Sequence, residues 1–326
     1  MKRVLTFLLA MVCMSSLYLP ASAQDAPESI LFTFAGDCTF GSPPTSYNSP
    51  SGFVQTVGED YGYPFRNVLS YLEEDDLTVI NLEGPLTEHT GFVSKQFIFR
   101  GPERFTNILT GSSVEAVSIA NNHTHDYTQQ GYDDTRRALE EAGVPYVEAD
   151  RGTLVRLESG LTVGLYGMVY HRYPDARELR DAFQKLREDG ADVIVFLPHW
   201  GVEESYSLSP AQIQTAHDAI DAGATIVCGS HPHVLQEVER YGDGIIFYSM
   251  GNFSFGGNGK PSDFDTALLR QELLIGKDGT VTLGETSAIP ACISSSPWVN
   301  NYQPTPYEEG SPGYARVMQK LKLEQK

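Results

Sequence analysis

The sequence predicts an α/β fold on two observations. Short β-branched apolar runs alternate with helical patterns through most of the chain, as expected of βα units. Each of five runs then passes into Asp, Glu, Asn or His, the residue types that ligate metals or move protons. Sites in α/β sheets form outside the carboxyl ends of the strands, so these endings are expected to converge.

Residues 30–35 run into Gly36-Asp37, and residues 77–80 into Asn81-Leu82-Glu83-Gly84. Residues 117–120 lead to Asn121-Asn122-His123, and residues 192–198 to His199-Trp200-Gly201. The most informative is the run 224–228, which enters Gly229-Ser230-His231-Pro232-His233-Val234. Residues two apart in an extended chain point the same way, so His231 and His233 are expected to reach one locus. Imidazole ligates Zn, Fe, Mn and Ni. A single His-x-His pair is a weak signal; a second strand delivering His199 makes it a site.

Helices are expected over 132–142, stopped by Gly143, and over 174–189, carrying Leu179, Phe183 and Leu186 at helical spacing before Gly190. A third, 210–222, has Ser209 as N-cap, Pro210 in the first turn and Gly223 as stop. Ile213, Ala216 and Ile220 form its apolar face, and His217 beside them reads as a surface or packing residue. Ser159-Gly160 signals a hairpin. A second hairpin, around Lys277-Asp278-Gly279, is expected as an edge or cover. Residues 244–248 form a strand entering Ser249-Met250-Gly251-Asn252-Phe253, a tight turn at the site floor. Residues 41–60 read as a polar loop over the site, and 294–313 as a loop before a short helix over 314–326.

The chain carries 23 Lys and Arg against 42 Asp and Glu, a net charge of −19. That balance disfavours nucleic acid. It also opposes electrostatic binding of a polyanion unless basic residues gather locally, with Arg100, Arg104, Arg136, Arg137, His171 and Arg172 as candidates. Met1-Lys2-Arg3, an apolar run over 4–12 and the exit Ala21-Ser22-Ala23 predict a secretory signal peptide over 1–23, with a mature start near Gln24. Export to the periplasm, the envelope or the medium is the expectation. The run is short for a membrane span. Cys38, Cys228 and Cys292 remain after cleavage, an odd set that indicates no disulfide framework; Cys38 and Cys228 read as small core residues.

The series Ala35-Gly36-Asp37, Asn81-Leu82-Glu83, Asn121-Asn122-His123 with Asp126, His199-Trp200-Gly201, Gly229-Ser230-His231-Pro232-His233-Val234 and Tyr248-Ser249-Met250-Gly251-Asn252-Phe253 resembles the capsule-synthesis family. That family is typified by CapA and PgsA of poly-γ-glutamate production and is related in fold to the calcineurin-like metallophosphoesterases. The resemblance spans residues 29–255. It implies a four-layer sandwich, two mixed sheets face to face with helices outside, over one domain at 29–290 and a loop-rich tail at 291–326. Carried over from the metallophosphoesterases, Asp37 and His233 would serve one metal and Glu83 would bridge. Asn122, His199 and His231 would serve the other. His123 would protonate the leaving oxygen. Asp126 would either fix the His123 tautomer or cap the next helix, and Glu203 is a further candidate acceptor.

The implied cofactor is one or two divalent ions, Mn, Zn or Fe. Two departures mark the subfamily: Thr39 stands where phosphoesterases carry a histidine, and Asn81-Leu82-Glu83 replaces a Gly-Asp bridging motif. The implied function is an extracytoplasmic metal-dependent hydrolase acting on a phosphoester or amide-type bond. The alternative is a non-catalytic metal-binding component of polymer export or capsule assembly. Implied partners are a cell-envelope or capsular polymer and membrane-bound polymer synthase components.

Overall fold

A computed structural model describes residues 28–323, and the expected signal peptide lies outside them. The strands in chain order are β1 (Glu28–Thr39), β2 (Leu77–Leu82), β3 (Ala116–Ser118), β4 (Tyr146–Val147), β5 (Gly152–Arg156), β6 (Thr162–Val169) and β7 (Val193–His199). They continue as β8 (Ile226–Cys228), β9 (Val238–Tyr241), β10 (Gly244–Phe247), β11 (Asn252–Phe255), β12 (Asp265–Ile275), β13 (Val281–Cys292) and β14 (Thr305–Pro306). One sheet has the order β14-β13-β12-β1-β2-β3-β4, with β11 also pairing β1. The other has the order β5-β6-β7-β8-β10-β9. Parallel β1, β2, β3 and β4 adjoin antiparallel β12 and β13, while parallel β6, β7, β8 and β10 carry antiparallel β5 and β9 at the edges.

Side-chain alternation explains the four layers. Phe32 and Phe34 of β1 meet Val193, Val195 and Leu197 of β7 and Phe247 of β10 in the core between the sheets. The intervening Ile194 and Phe196 face outward onto Leu179, Phe183, Leu186, Ala216 and Ala219. A strand buried on both faces reads as a continuous apolar run, which is why β7 is so plain in the sequence. Outside the first sheet, Ile80, Leu82 and Val117 pack against Phe53, Phe105, Ile108 and Leu139.

The helices are α1 (Phe53–Val57), α2 (Leu69–Leu72), α3 (Thr106–Thr110), α4 (Thr128–Ala142), α5 (Ala176–Glu188), α6 (Pro210–Asp221) and α7 (Pro312–Leu321). Asp175 with Glu178 and Ser209 with Gln212 form capping boxes on α5 and α6, satisfying N-terminal amides that no helical carbonyl can reach. Gly143 ends α4 at φ 70°. No helix among the described residues is long and apolar enough to cross a membrane.

The Lys277-Asp278-Gly279 hairpin lies at the edge of the first sheet, as expected: β12 pairs β1, and β13 is flanked beyond only by two-residue β14 at Ala291 and Cys292. Three expectations differ from the structure. Residues 41–60 contain α1, which sinks Phe53, Val54 and Val57 into the core; three apolar residues outweigh the prolines around them. Ile213 is exposed, and α6 buries Thr215 and Ala219 beside Ala216 and Ile220. The residues after 290 pack into the same body. There β14 pairs with β13, Val317 and Leu321 of α7 enter the inter-sheet core, and Arg316 and Lys320 clamp the buried Asp265.

Candidate metal centre

The carboxyl ends of β1, β2, β3, β7 and β8 deliver the predicted residues to one place. At β1 the register slips between Ala35 and Asp37, and the Asp37 N–H donates to the Gly251 carbonyl at 2.8 Å. A Cβ on Gly36 would stand 1.9 Å from that same oxygen, so only glycine lets β1 and the 248–252 turn approach. Glu83 follows β2 directly, its N–H donating to the Cys38 carbonyl at 2.9 Å.

His231 and His233 do reach one locus, but not by extended alternation. Strand β8 stops at Cys228, and the two histidines take φ 96° and φ 58°. Left-handed backbone at a non-glycine residue costs on the order of 1–3 kcal/mol and persists only where its surroundings impose it. That cost marks the loop as a functional segment.

Glu83 is the centre of the arrangement. It is 0% exposed, and neither carboxylate oxygen has a hydrogen-bond partner among the described residues. Three imidazole Nε2 atoms surround its Oε1: His199 at 3.7 Å, His123 at 3.9 Å and His233 at 3.9 Å. A buried carboxylate without donors is costly unless a cation joins it, so the residues fit a metal.

The donors assigned to the second ion meet on their own. Asn122 Oδ1 is 2.8 Å from His199 Nε2, which is 3.1 Å from His231 Nδ1. On the other side His233 Nδ1 lies 2.9 Å from Asp37 Oδ2. Ligand atoms of Asp37, Glu83 and His233 all fall within 4.8 Å of one another, as do those of Glu203, His231 and His233. All six predicted donors therefore belong to one cluster, and exposed Glu203 stands at its edge. The Thr39 hydroxyl, in place of the phosphoesterase histidine, is buried and has no partner.

Asp126 acts on His123 rather than on the helix. Its Oδ2 is 2.7 Å from His123 Nδ1, and α4 has Tyr127 as N-cap with no side-chain cap bond. An ionised carboxylate only accepts, so Nδ1 bears the hydrogen and Nε2 is left on the Glu83 side. Asp126 also accepts from the Phe99 N–H at 2.9 Å and from Lys95 Nζ at 3.1 Å. His125 turns outward onto the Tyr132 ring, 4.6 Å away.

Burial dominates the electrostatics of the cluster. Burial pushes the Glu83 carboxyl well up, Asp37 adds to the push, and His233 and Lys95 oppose it. Burial, then His231, holds His199 well below the usual histidine range, and burial with His233 takes His231 down to about 4. Burial also lowers His123, against Asp126. For His233 burial pulls downward, but Glu83 and Asp37 outweigh it and hold the ring up to about 10. His199 and His231 are thus neutral donors at neutral pH, the form a metal requires.

Sequence reasoning did not reach Lys95, Phe99 or Tyr170, and it named Ser230 only as part of the His231-Pro232-His233 motif. Ser230 Oγ holds His199 Nδ1 at 2.9 Å, and the Tyr170 ring stacks on His231 at 4.7 Å. Asn81 and Asn252 lay inside quoted motifs: Asn81 Nδ2 donates to Asp37 Oδ1 at 2.7 Å, and Asn252 Oδ1 lies 3.0 Å from His233 Nδ1. The candidates for a basic gathering are engaged elsewhere. Arg136 pairs with Glu148, Arg137 with Glu103 and Asp134, and Arg172 with Asp150 and Glu178, while Arg100 lies over Tyr47. Cys38 and Cys228 are free, buried core residues.

Residues 31–257 match the family model described as bacterial capsule synthesis protein PGA_cap. The chain is 28% identical over 299 residues to "Capsule biosynthesis protein CapA" of Bacillus anthracis, covering 82% of this chain and 71% of that protein. It is 28% identical over 252 residues to "PGA biosynthesis protein CapA" of Bacillus subtilis, covering 70% of this chain and 66% of that one. In fold it is similar to the calcineurin-like phosphoesterase YfkN of Bacillus subtilis, with TM-score 0.50 and 12% identity over 90% of this chain and 96% of that one. A hypothetical protein of Thermus thermophilus is similar at TM-score 0.51 and 15% identity, covering 83% of this chain and 100% of that one. The fold is thus that of the calcineurin-like metallophosphoesterases, and the chain belongs to the bacterial capsule synthesis protein family PGA_cap.

Proposed function

We propose that this capsule-synthesis protein is an exported metal-dependent hydrolase acting on a phosphoester or amide-type bond of an envelope polymer. The observation that carries the reading is Glu83, a buried carboxylate with no hydrogen-bond partner and three imidazole Nε2 atoms around Oε1. Asp37, Glu83 and His233 would hold one ion and Asn122, His199 and His231 a second, with Glu83 shared. Bound metal of this kind supplies Lewis acidity and an activated water. His123 exchanges a proton at Nε2, with its ring oriented by Asp126.

The test is turnover by protein supplied with Mn, Zn or Fe, across phosphodiesters and γ-glutamyl amides. The reading expects hydrolysis of at least one class, abolished by chelation. One observation favours a second reading, a non-catalytic metal-binding part of polymer export or capsule assembly: Thr39 removes a nitrogen ligand from the first set. Metal-loaded protein that turns over nothing in the panel would establish that alternative. Export rests on residues 1–23, and recovery of envelope or secreted protein starting near Gln24 is its check.

A further inference from the structure

The donor set of Asp37, Glu83 and His233 is at least one ligand short. Zn takes about four donors and Mn about six. The Thr39 hydroxyl, in place of the phosphoesterase nitrogen, is buried without a partner among the described residues. The loop after β7 brings another carboxylate to this place. The Trp200 N–H donates to the Ser230 carbonyl at 3.0 Å, the Glu204 N–H to the Pro232 carbonyl at 2.8 Å, and Gln236 Nε2 to the Ser205 carbonyl at 2.8 Å. Residues 200–205 are thereby fastened to the loop that carries His231 and His233. Glu204 takes φ 59° there, a backbone state that a non-glycine residue keeps only where its surroundings impose it.

We propose that Glu203 is a ligand of the first ion, joining Asp37, Glu83 and His233 and supplying the donor that Thr39 does not. The inference rests on the reading that the cluster holds metal, and it adds a ligand that the phosphoesterase pattern lacks. The two glutamates of the loop are used differently. Glu204 accepts from Ser262 Oγ at 2.8 Å. Glu203 is exposed and holds no hydrogen bond among the described residues, yet a carboxylate oxygen and ligand atoms of His231 and His233 all fall within 4.8 Å of one another. The His233 ring is common to both sides of the cluster, because its Nε2 also lies 3.9 Å from the partnerless Oε1 of Glu83. An exposed carboxylate stays hydrated until an ion draws it in, so Glu203 carries none of the burial cost that Glu83 does. The addition also changes the chemistry of the set. Three carboxylates and one imidazole form an oxygen-rich site suited to Mn, whereas Asn122, His199 and His231 form a nitrogen-richer one suited to Zn or Fe.

The experiment is equilibrium dialysis of Mn and of Zn into the metal-free protein, read as metal bound per chain. Glu203→Gln should weaken Mn binding by ~10-fold or more, since even a residue behind a ligand costs that much, and should weaken Zn binding less. Glutamine keeps an oxygen that can accept from a ring N–H, so a residue that only oriented His231 or His233 would tolerate the change. Glu204→Gln removes the same charge one residue away and should leave both affinities near wild type. The Mn loss should persist in a His231→Ala background, where the second donor set is already broken. Unchanged Mn binding in Glu203→Gln overturns the proposal, as does an equal loss in Glu204→Gln, which would make the effect one of general charge. A loss that vanishes in the His231→Ala background would take Glu203 off the first ion and also overturn it. In each of these cases the metal centre itself stands. A wild type that binds neither Mn nor Zn would remove the metal reading and Glu203 together. Binding needs no turnover, so an inactive protein that shows the predicted losses would count against the hydrolase reading alone.

Discussion

Replacing Glu83 by Gln should move stability in opposite directions with and without metal. In the metal-free protein the side chain is 0% exposed and both oxygens lack donors, and burial together with Asp37 raises its carboxyl far above the ordinary value. A carboxyl raised on folding takes up a proton, so its stability is present below the unfolded pKa of ~4.3 and is lost as pH climbs above it. At pH 7–8 the metal-free wild type therefore carries a penalty that is absent below ~4.3. An uncompensated buried polar group costs about 1–3 kcal/mol. A glutamine is uncharged, and its amide can donate to His123 Nε2, which lies 3.9 Å from Oε1. With roughly 2–4 °C per kcal/mol for a chain of this size, Glu83→Gln should melt several degrees higher than wild type in chelator.

Metal reverses the order. A ligand at a hundred times its dissociation constant stabilises by ~2.7 kcal/mol, which wild type gains and a variant without the shared carboxylate largely forgoes. Thermal melts at pH 7.5, in EDTA and then with Mn or Zn, should cross. A variant less stable than wild type in EDTA, with an undiminished metal-induced shift, would show that Glu83 is neither an uncompensated charge nor a ligand.

Two further outcomes follow from the same geometry. His123→Ala should keep its metal while losing ~10²–10⁴-fold in turnover, with a smaller loss for more acidic leaving groups; loss of metal would make His123 a ligand instead. Away from the site, burial raises Asp75 to about 7, against a hydrogen bond from Thr78 Oγ1 at 2.8 Å. Its stability is present below about pH 4 and lost as pH rises toward 7. Asp75→Asn should thus be more stable at pH 8 by about 1–2 kcal/mol, discounted for partial solvation, and unchanged at pH 3.5; a variant less stable at pH 8 would contradict this.

The fold was legible where strands are buried on both faces, as in β7, and where a cap is written in sequence, as at Ser209. It was least legible in 41–60 and beyond 290. There one short helix and one two-residue strand owe their form to tertiary packing of Phe53, Tyr302 and Val317 rather than to periodicity. The ligand residues were legible because each lies at or within a few residues of the carboxyl end of an apolar run. How His231 and His233 converge was not, since left-handed φ at a histidine is imposed by the surrounding turns and has no local signature. Lys95 was invisible for a related reason: it sits in an aperiodic stretch, and only the fold brings it across to Asp126.

Whether the second donor set forms a metal centre is decided by metal content. Protein purified without added metal or chelator, analysed beside His231→Ala and Thr39→Ala, should carry Mn, Zn or Fe at or above one ion per chain. His231→Ala should lose more of it than Thr39→Ala, because His231 meets His199 at 3.1 Å, whereas the Thr39 hydroxyl replaces a stronger nitrogen donor. Wild type without bound transition metal, even after reloading, would rule out a metal centre at these residues.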